Sequence, residues 1–250
     1  SLEAVRAAVV GLLGQYHNPH FNSKHKFMLT RESDGAPMLV EQLSQGYQSM
    51  LALAMDFARR LAIANPHLEY DDEDYAVQVI HQAIDQLAAL GVVSTEPFQQ
   101  SLRMSAPAIM LVDEIDLHLH PSWQQRVLRD LMRTFPLTQF IVTTHSPQVL
   151  TTVPSECIRI MQDGKVYQAP AGTEGAEPGR LLLSALGLQS VRPPENAATK
   201  ELLAYLALVD QDQWETPEAL ELRRKLDARY QGSEPALLDA DLLLENKQCE

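Results

Sequence analysis

Pro107-Ala108-Ile109-Met110-Leu111-Val112-Asp113-Glu114-Ile115-Asp116 decides the fold: five apolar residues in a row close on two consecutive carboxylates. A continuous apolar run of this length suits a strand buried on both faces of a parallel sheet. Pro121 at a first helical position then opens a helix over Ser122–Phe135, and Gln139–Thr143 is a second apolar strand that runs into Thr144-His145-Ser146-Pro147. Strand, helix, strand is the rhythm of α/β architecture, and ligands of such sheets collect beyond the carboxyl ends of the strands. Asp113 and Glu114 end one strand, and His145 ends the next.

Upstream, apolar residues at helical spacing over Leu2–Gln15 predict a helix. Phe27-Met28-Leu29 and Met38-Leu39-Val40 predict two strands around an Asp34-Gly35 turn. Leu43-Ser44-Gln45-Gly46-Tyr47-Gln48-Ser49 opens a helix rich in Ala, Leu and Met, which continues to Ala64 and stops at Asn65-Pro66. An acidic lead over 69–74 precedes a further helix over 77–90, ended by Gly91. Downstream, Ile158-Arg159-Ile160 and Lys165-Val166-Tyr167 flank Asp163-Gly164 as an edge hairpin. Residues 169–180 are rich in Gly, Pro and Glu and read as a linker. From Leu181 the pattern is helical, with breaks at Pro193-Pro194, Pro217 and Gly232. The expected division is therefore an α/β part over 1–168, a linker over 169–180 and an appendage of three to four helices over 181–250.

The 250 residues are 45% apolar and 21% charged, enough for one sizeable core or two small ones. A formal net charge of -13 argues against a general nucleic-acid binder, because phosphate binding relies on clustered Lys and Arg. The densest basic sites, Arg59-Arg60, Arg126 with Arg129 and Arg133, and Arg223-Arg224-Lys225, lie on helical patterns and read as solvated faces. Cys157 and Cys249 lack any C-x-x-C spacing, so a reducing cytoplasm is the expected compartment. No apolar run approaches the ~18 residues that span a bilayer, and no signal peptide is evident. The chain begins at Ser1 without Met, as a piece of a longer protein would.

The chemistry these residues suit is phosphoryl transfer to water. It needs a cation on the phosphates, a group that orients the attacking water, and donors around the developing charge. Asp113 is placed to touch a magnesium ion, and Glu114 to accept a hydrogen bond or proton from the water. Ser44, Gln45 and Gly46 start a helix, where free N–H groups and the dipole favour an anion. Each feature alone has a plainer reading: a strand ending at the surface, or a helix cap. His17, His20 and His25 invite a metal reading, but thiolate and carboxylate partners at ligand spacing are missing, and the His-x-His spacing of His118 and His120 invites another in the stretch directly after the carboxylate pair. Asp239-Ala240-Asp241 with Glu245 mimics a nuclease D-x-D, although the surrounding leucines fit a helix face.

Taken in order, these motifs resemble the second half of a soluble ABC-class ATPase of the RecF/SMC-related branch. Leu43–Ser49 matches the signature, Ile109–Glu114 the Walker B strand with its catalytic glutamate, and His145 the switch histidine. Asp113-Glu114-Ile115-Asp116-Leu117-His118-Leu119-His120-Pro121, with Trp123-Gln124 and the run from Gln139 to Leu150, looks closest to the PtuA-type ATPases of Septu and Septu-containing retron systems. The likeness covers about Leu2–Leu150, and the appendage less specifically. His120 stands where transporter ATPases place an aspartate, and Gln45 with Tyr47 replaces the Gly-Gly-Gln of their signature, which argues against transport. No G-x-x-x-x-G-K-[ST] phosphate loop occurs; the only Gly-Lys step, Gly164-Lys165, is followed by Val166.

The resemblance implies part of an ABC ATPase (P-loop NTPase) head that binds ATP and Mg2+. In it Glu114 and His145 would be catalytic, Asp113 would meet the metal, and Ser44, Gln45 and Gly46 would contact nucleotide held by the opposite subunit of a head-to-tail dimer. It further implies an HNH nuclease subunit of PtuB type as partner, with a retron reverse transcriptase and its nucleic acid as another. The function expected is ATP-dependent control of that nuclease in anti-phage defence. The alternatives are a DNA-repair or chromosome-structure ATPase and a non-hydrolysing scaffold of the same fold. Without the phosphate loop, this segment alone is expected to be inactive.

Overall fold

Helix α1 (Leu2–Leu13) forms on the apolar periodicity of its sequence and buries Ala4, Ala8, Val9, Leu12 and Leu13. In this computed structural model, which describes residues 2–66, 68, 78, 82–83, 85–86 and 102–248, its main partner is α2 (Gln45–Ala64). The buried face of α2 carries Met50, Leu51, Ala54, Ala58 and Leu61, and the alanines allow close approach. Asn65 ends α2 by returning both its N–H and its side-chain amide to the Leu61 carbonyl, just before Pro66. The acidic lead over 69–74 lies outside the described residues, as does most of the helix expected over 77–90.

Between α1 and α2 lies an antiparallel sheet in the order β1 (Tyr16–Phe21), β2 (Phe27–Arg31), β3 (Pro37–Leu39). Strands β2 and β3 match their apolar runs. The sequence gives little warning of β1, because Pro19 and a left-handed Asn18 (φ 52) interrupt it and the register slips between His17 and His20. His20 sits on that bulge, with Nδ1 2.8 Å from the Asn18 carbonyl.

Strand β4 (Ala108–Val112) pairs in parallel with β5 (Thr138–Val142), residue for residue from Ala108↔Thr138 to Val112↔Val142. The connection carries two helices where one was expected, α3 (Pro121–Gln124) and α4 (Val127–Thr134). The break at Gln125-Arg126 lets the Arg126 guanidinium lie 4.5 Å over the buried Trp123 ring and bond Asp130 at 2.6 Å. Asp130, 1% exposed in the first turn of α4, is also approached by Arg129 and Arg133. The expectation that β4 is buried on both faces is corrected. Ala108, Val112, Phe140 and Val142 pack on the core, while Ile109, Leu111 and Ile141 are 65%, 74% and 51% exposed.

After α5 (Pro147–Leu150), the hairpin β6 (Arg159–Gln162) and β7 (Lys165–Gln168) turns through Asp163 (φ 51) and Gly164 (φ 72), a turn with both central residues left-handed. Residues 169–180 hold onto this part rather than linking freely. Ala169 is buried, the Thr173 hydroxyl bonds the Val153 carbonyl at 3.3 Å, and the Gly175 N–H bonds Thr151 O at 2.9 Å. Helix α6 (Pro178–Ser184) then buries Leu181 with Leu150 and Ile158. The chain accordingly divides into units Ser1–Leu186 and Gly187–Glu250. A Gly- and Pro-rich composition signals irregular backbone, which is not the same as absent contacts.

The second unit holds α7 (Ala197–Asp210), α8 (Pro217–Tyr230) and α9 (Pro235–Gln248) around Leu202, Tyr205, Val209, Leu226 and Leu237. Asn196 and Thr216 cap α7 and α8 through side-chain oxygens. Asp241 is occupied by Arg223, which also bonds Asp227 and the Tyr205 hydroxyl, so the D-x-D stretch serves as a structural ion pair. Arg192 grips Glu234 at 2.7 and 3.2 Å. No helix among the described residues is long and apolar enough to cross a membrane.

The hydrogen bond from Arg223 holds the Asp241 carboxyl below the usual carboxylate range, and Arg192 does the same for Glu234. Because both values are depressed in the folded state, their stabilisation is present above the ordinary carboxylate range and is lost as pH falls through the depressed values. Thermal denaturation from neutral pH downward should show that loss, and Arg192→Met with Arg223→Met should flatten it; an unaltered acid slope in the double variant would contradict the assignment. In the same unit, Leu226→Ala should cost about 2–5 kcal/mol by denaturant titration, since its side chain is wholly buried.

Candidate functional site

The parallel register of β4 and β5 sets the ends of the two strands side by side, and main-chain pairing continues past them. The Thr143 N–H bonds Val112 O at 3.0 Å, and the Ile115 N–H bonds Thr143 O at 3.0 Å. The Thr143 hydroxyl donates to the Asp113 carboxylate while accepting the Glu114 N–H at 2.8 Å. One side chain thereby positions both members of the carboxylate pair. Glu114 is held at φ 50, a left-handed conformation that costs a residue with a side chain about 1–2 kcal/mol. Such strain persists only where surroundings enforce it, and here Thr143 and the Ile115 N–H do so. Asp113, Glu114 and His145 all present exposed side chains at this end of the sheet.

A second set of bonds ties the residues flanking His145 to the loop after Glu114. The Thr144 hydroxyl donates to Asp116 and accepts the Ser146 N–H at 3.0 Å. The Ser146 hydroxyl donates to Gln124 Oε1 at 2.7 Å and accepts the Val149 N–H as the cap of α5. Gln124 Nε2 in turn donates to the Leu119 carbonyl at 2.9 Å. Sequence reasoning quoted Thr143, Thr144, Ser146, Asp116 and Gln124 as part of the motifs but gave them no role in the site. Hydroxyl residues at strand ends are common, and their partners lie some thirty positions upstream. Only the parallel register brings each threonine opposite its carboxylate.

Ser44 caps α2, its hydroxyl facing the Tyr47 N–H at 3.5 Å, and Ser44 and Gln45 are exposed. Gly46 is buried: a Cβ there would stand 2.6 Å from the His118 carbonyl oxygen and 3.2 Å from a Leu119 methyl. The chain's own backbone therefore requires glycine at this position. His118 is itself left-handed (φ 62), so the 114–118 turn approaches α2 with two strained residues. Tyr47 packs edge-on against Trp123 at 4.3 Å and accepts a bond from Gln15 at 2.5 Å, fixing the start of α2 against α3. Ser49, Met50 and Leu53 of α2 share a cleft with Glu114, Leu117 and His118. His120 caps α3, with Nδ1 facing the Ser122 N–H and hydroxyl.

Among the described residues no cluster of three or more His, Cys, Asp or Glu is placed to hold a metal. Asp113 alone could hold a cation only together with other oxygens, from water or a bound ligand, as magnesium is held through one or two carboxylates. The exposed start of α2 offers N–H groups to an anion.

A family model described as "AAA domain, putative AbiEii toxin, Type IV TA system" matches residues 6–151. The chain is 34% identical over 219 residues to "Retron Ec83 probable ATPase" of Escherichia coli, a match covering 88% of this chain and 34% of that protein. It is 33% identical over 201 residues to "Retron Vc95 probable ATPase" of Vibrio cholerae serotype O1 biovar El Tor, covering 78% and 33%. Over 94 residues it is 34% identical to "Septu protein PtuA" of Bacillus thuringiensis, covering 34% and 24%. The chain thus spans about a third of the length of the retron relatives.

Gly46→Ala sets helix propensity, which favours Ala by about 1 kcal/mol, against a backbone overlap that costs about 1–3 kcal/mol. The overlap should win, and thermal denaturation should show a destabilised protein. A more stable Gly46→Ala variant would show that His118 does not press on α2.

Proposed function

Because the chain belongs to this AAA-domain family, we propose that it lies on the RecF/SMC-related branch of ABC-class ATPases and forms the carboxy-terminal half of an ATP-hydrolysing head acting in the cytoplasm in anti-phage defence. The observation that carries the reading is the Asp113-Glu114 pair, held in a strained turn by Thr143 at the end of a parallel strand, with His145 on the loop just beyond the end of the neighbouring one. The retron probable ATPases and the Septu protein PtuA among the relatives support the defence role.

In this reading Asp113 would hold a magnesium ion, directly or through water, and the ion when bound would supply charge neutralisation on the phosphates. Glu114, turned out of the strand by its left-handed backbone, orients the attacking water and accepts its proton. His145 donates to the γ phosphate. Ser44, Gln45 and Gly46 offer the hydroxyl and N–H groups at the start of α2 to nucleotide held by a second head, so that two heads meet head to tail. The bare apolar face of Ile109, Leu111 and Ile141 supports completion of each head by further polypeptide that carries the phosphate loop. The net charge of -13 favours a protein effector over direct nucleic-acid binding by this portion. An HNH nuclease subunit of PtuB type is the proposed effector, with a retron reverse transcriptase and its nucleic acid as the sensing side.

In the full-length protein, Glu114→Gln should retain ATP binding and lower turnover by about 10²-fold or more, measured as phosphate release beside equilibrium nucleotide binding. Undiminished hydrolysis would refute the assignment. The 250-residue chain alone should show no turnover, and robust hydrolysis by it would contradict the need for a separate phosphate loop.

A further inference from the structure

We infer that Asp116 and Thr144 are positioning residues that hold the His145 loop in its productive place, an inference that rests on the ATPase reading above. Residues 143–146 belong to neither β5 nor α5 and have no regular secondary structure of their own. The His145 ring is exposed, and among the described residues no hydrogen bond holds it. Its location therefore depends on its two neighbours. Thr144 is tied through its hydroxyl to Asp116, and Ser146 through its hydroxyl to Gln124. Both anchors lead back to one loop, because Gln124 also bonds the Asp116 and Leu119 carbonyls.

That loop follows Glu114 directly, and the Leu117 and Leu119 N–H groups close it on the Glu114 and Asp116 carbonyls at 2.9 and 3.0 Å. Asp116 therefore links the backbone that carries Glu114 to the backbone that carries His145. Thr143 secures Glu114 itself, so the pair divides the work: Thr143 places the carboxylates, and Thr144 places the histidine relative to them. A bond between two partly exposed side chains contributes little to global stability. A displacement of about 1 Å in a catalytic group, by contrast, can lower turnover about 10²-fold. Activity and stability should therefore part company at these two positions.

The test is steady-state ATP turnover and thermal denaturation of the full-length protein carrying Thr144→Val, Asp116→Ala, both together, or Thr144→Ser. Expected is a fall in kcat of about 10- to 100-fold for Thr144→Val and Asp116→Ala, with the KM for ATP and the Tm close to wild type. The double variant should be no worse than Thr144→Val, which already removes the bond shared with Asp116 along with that from the Ser146 N–H, and Thr144→Ser, which keeps the hydroxyl, should restore turnover. Wild-type kcat in both single variants, or losses that track a lowered Tm and persist in Thr144→Ser, would overturn the inference. With Glu114→Gln in the same assay, an inactive glutamine variant beside fully active Thr144→Val defeats this inference alone. A fully active glutamine variant defeats the ATPase reading, and this inference with it.

Discussion

The Thr143 hydroxyl, which donates to Asp113 and accepts from the Glu114 N–H, is the contact on which the site depends. It exists only because β4 and β5 run parallel in a register that ends at Val112↔Val142, so that position 143 faces position 113. A slip of one residue would turn the threonine to the opposite face and leave a left-handed Glu114 without its restraint. The apolar run of β4 and the carboxylates that follow it are thus one design. Burial of one face of the run helps set the register, and the register sets the carboxylates.

A second constraint works from the other side. The start of α2 is pressed against the turn after Glu114 so closely that position 46 admits no side chain, and Tyr47 is wedged on Trp123 a few residues further along. Glu114 and His118, both left-handed, bound the stretch that makes this approach. The start of α2 and the carboxylate turn therefore share one close contact, which gives glycine a structural reason to stand at position 46.

Much of this could be read from the residues alone, and the failures have physical causes. Strands β2, β3, β4 and β5, the left-handed turn at Asp163-Gly164, and α2 with its stop at Asn65 follow from local patterns of apolarity, Gly and Pro. Asp113, Glu114 and His145 stand out because each closely follows an apolar run. The threonine clamps do not stand out, since their meaning comes from pairing across the sheet. Strand β1 hides behind Pro19 and a bulge, and the break between α3 and α4 accompanies the stacking of Arg126 on Trp123 and its pairing with buried Asp130. The apolar run of β4 announces a strand fit for burial on both sides, yet Ile109 and Leu111 lie open. Sequence reports what a face is suited to, and the contact itself must come from another surface.

The central claim is that these residues furnish half of a composite nucleotide pocket whose phosphate loop lies on other polypeptide. It is tested most directly by a structure of the full-length protein bound to magnesium and a non-hydrolysable ATP analogue. The account predicts the cation coordinated at Asp113, directly at about 2.0–2.1 Å or through one water, with Glu114 and His145 at the γ phosphate. Nucleotide bound away from the carboxyl ends of β4 and β5, with Asp113 and Glu114 facing solvent, would contradict it.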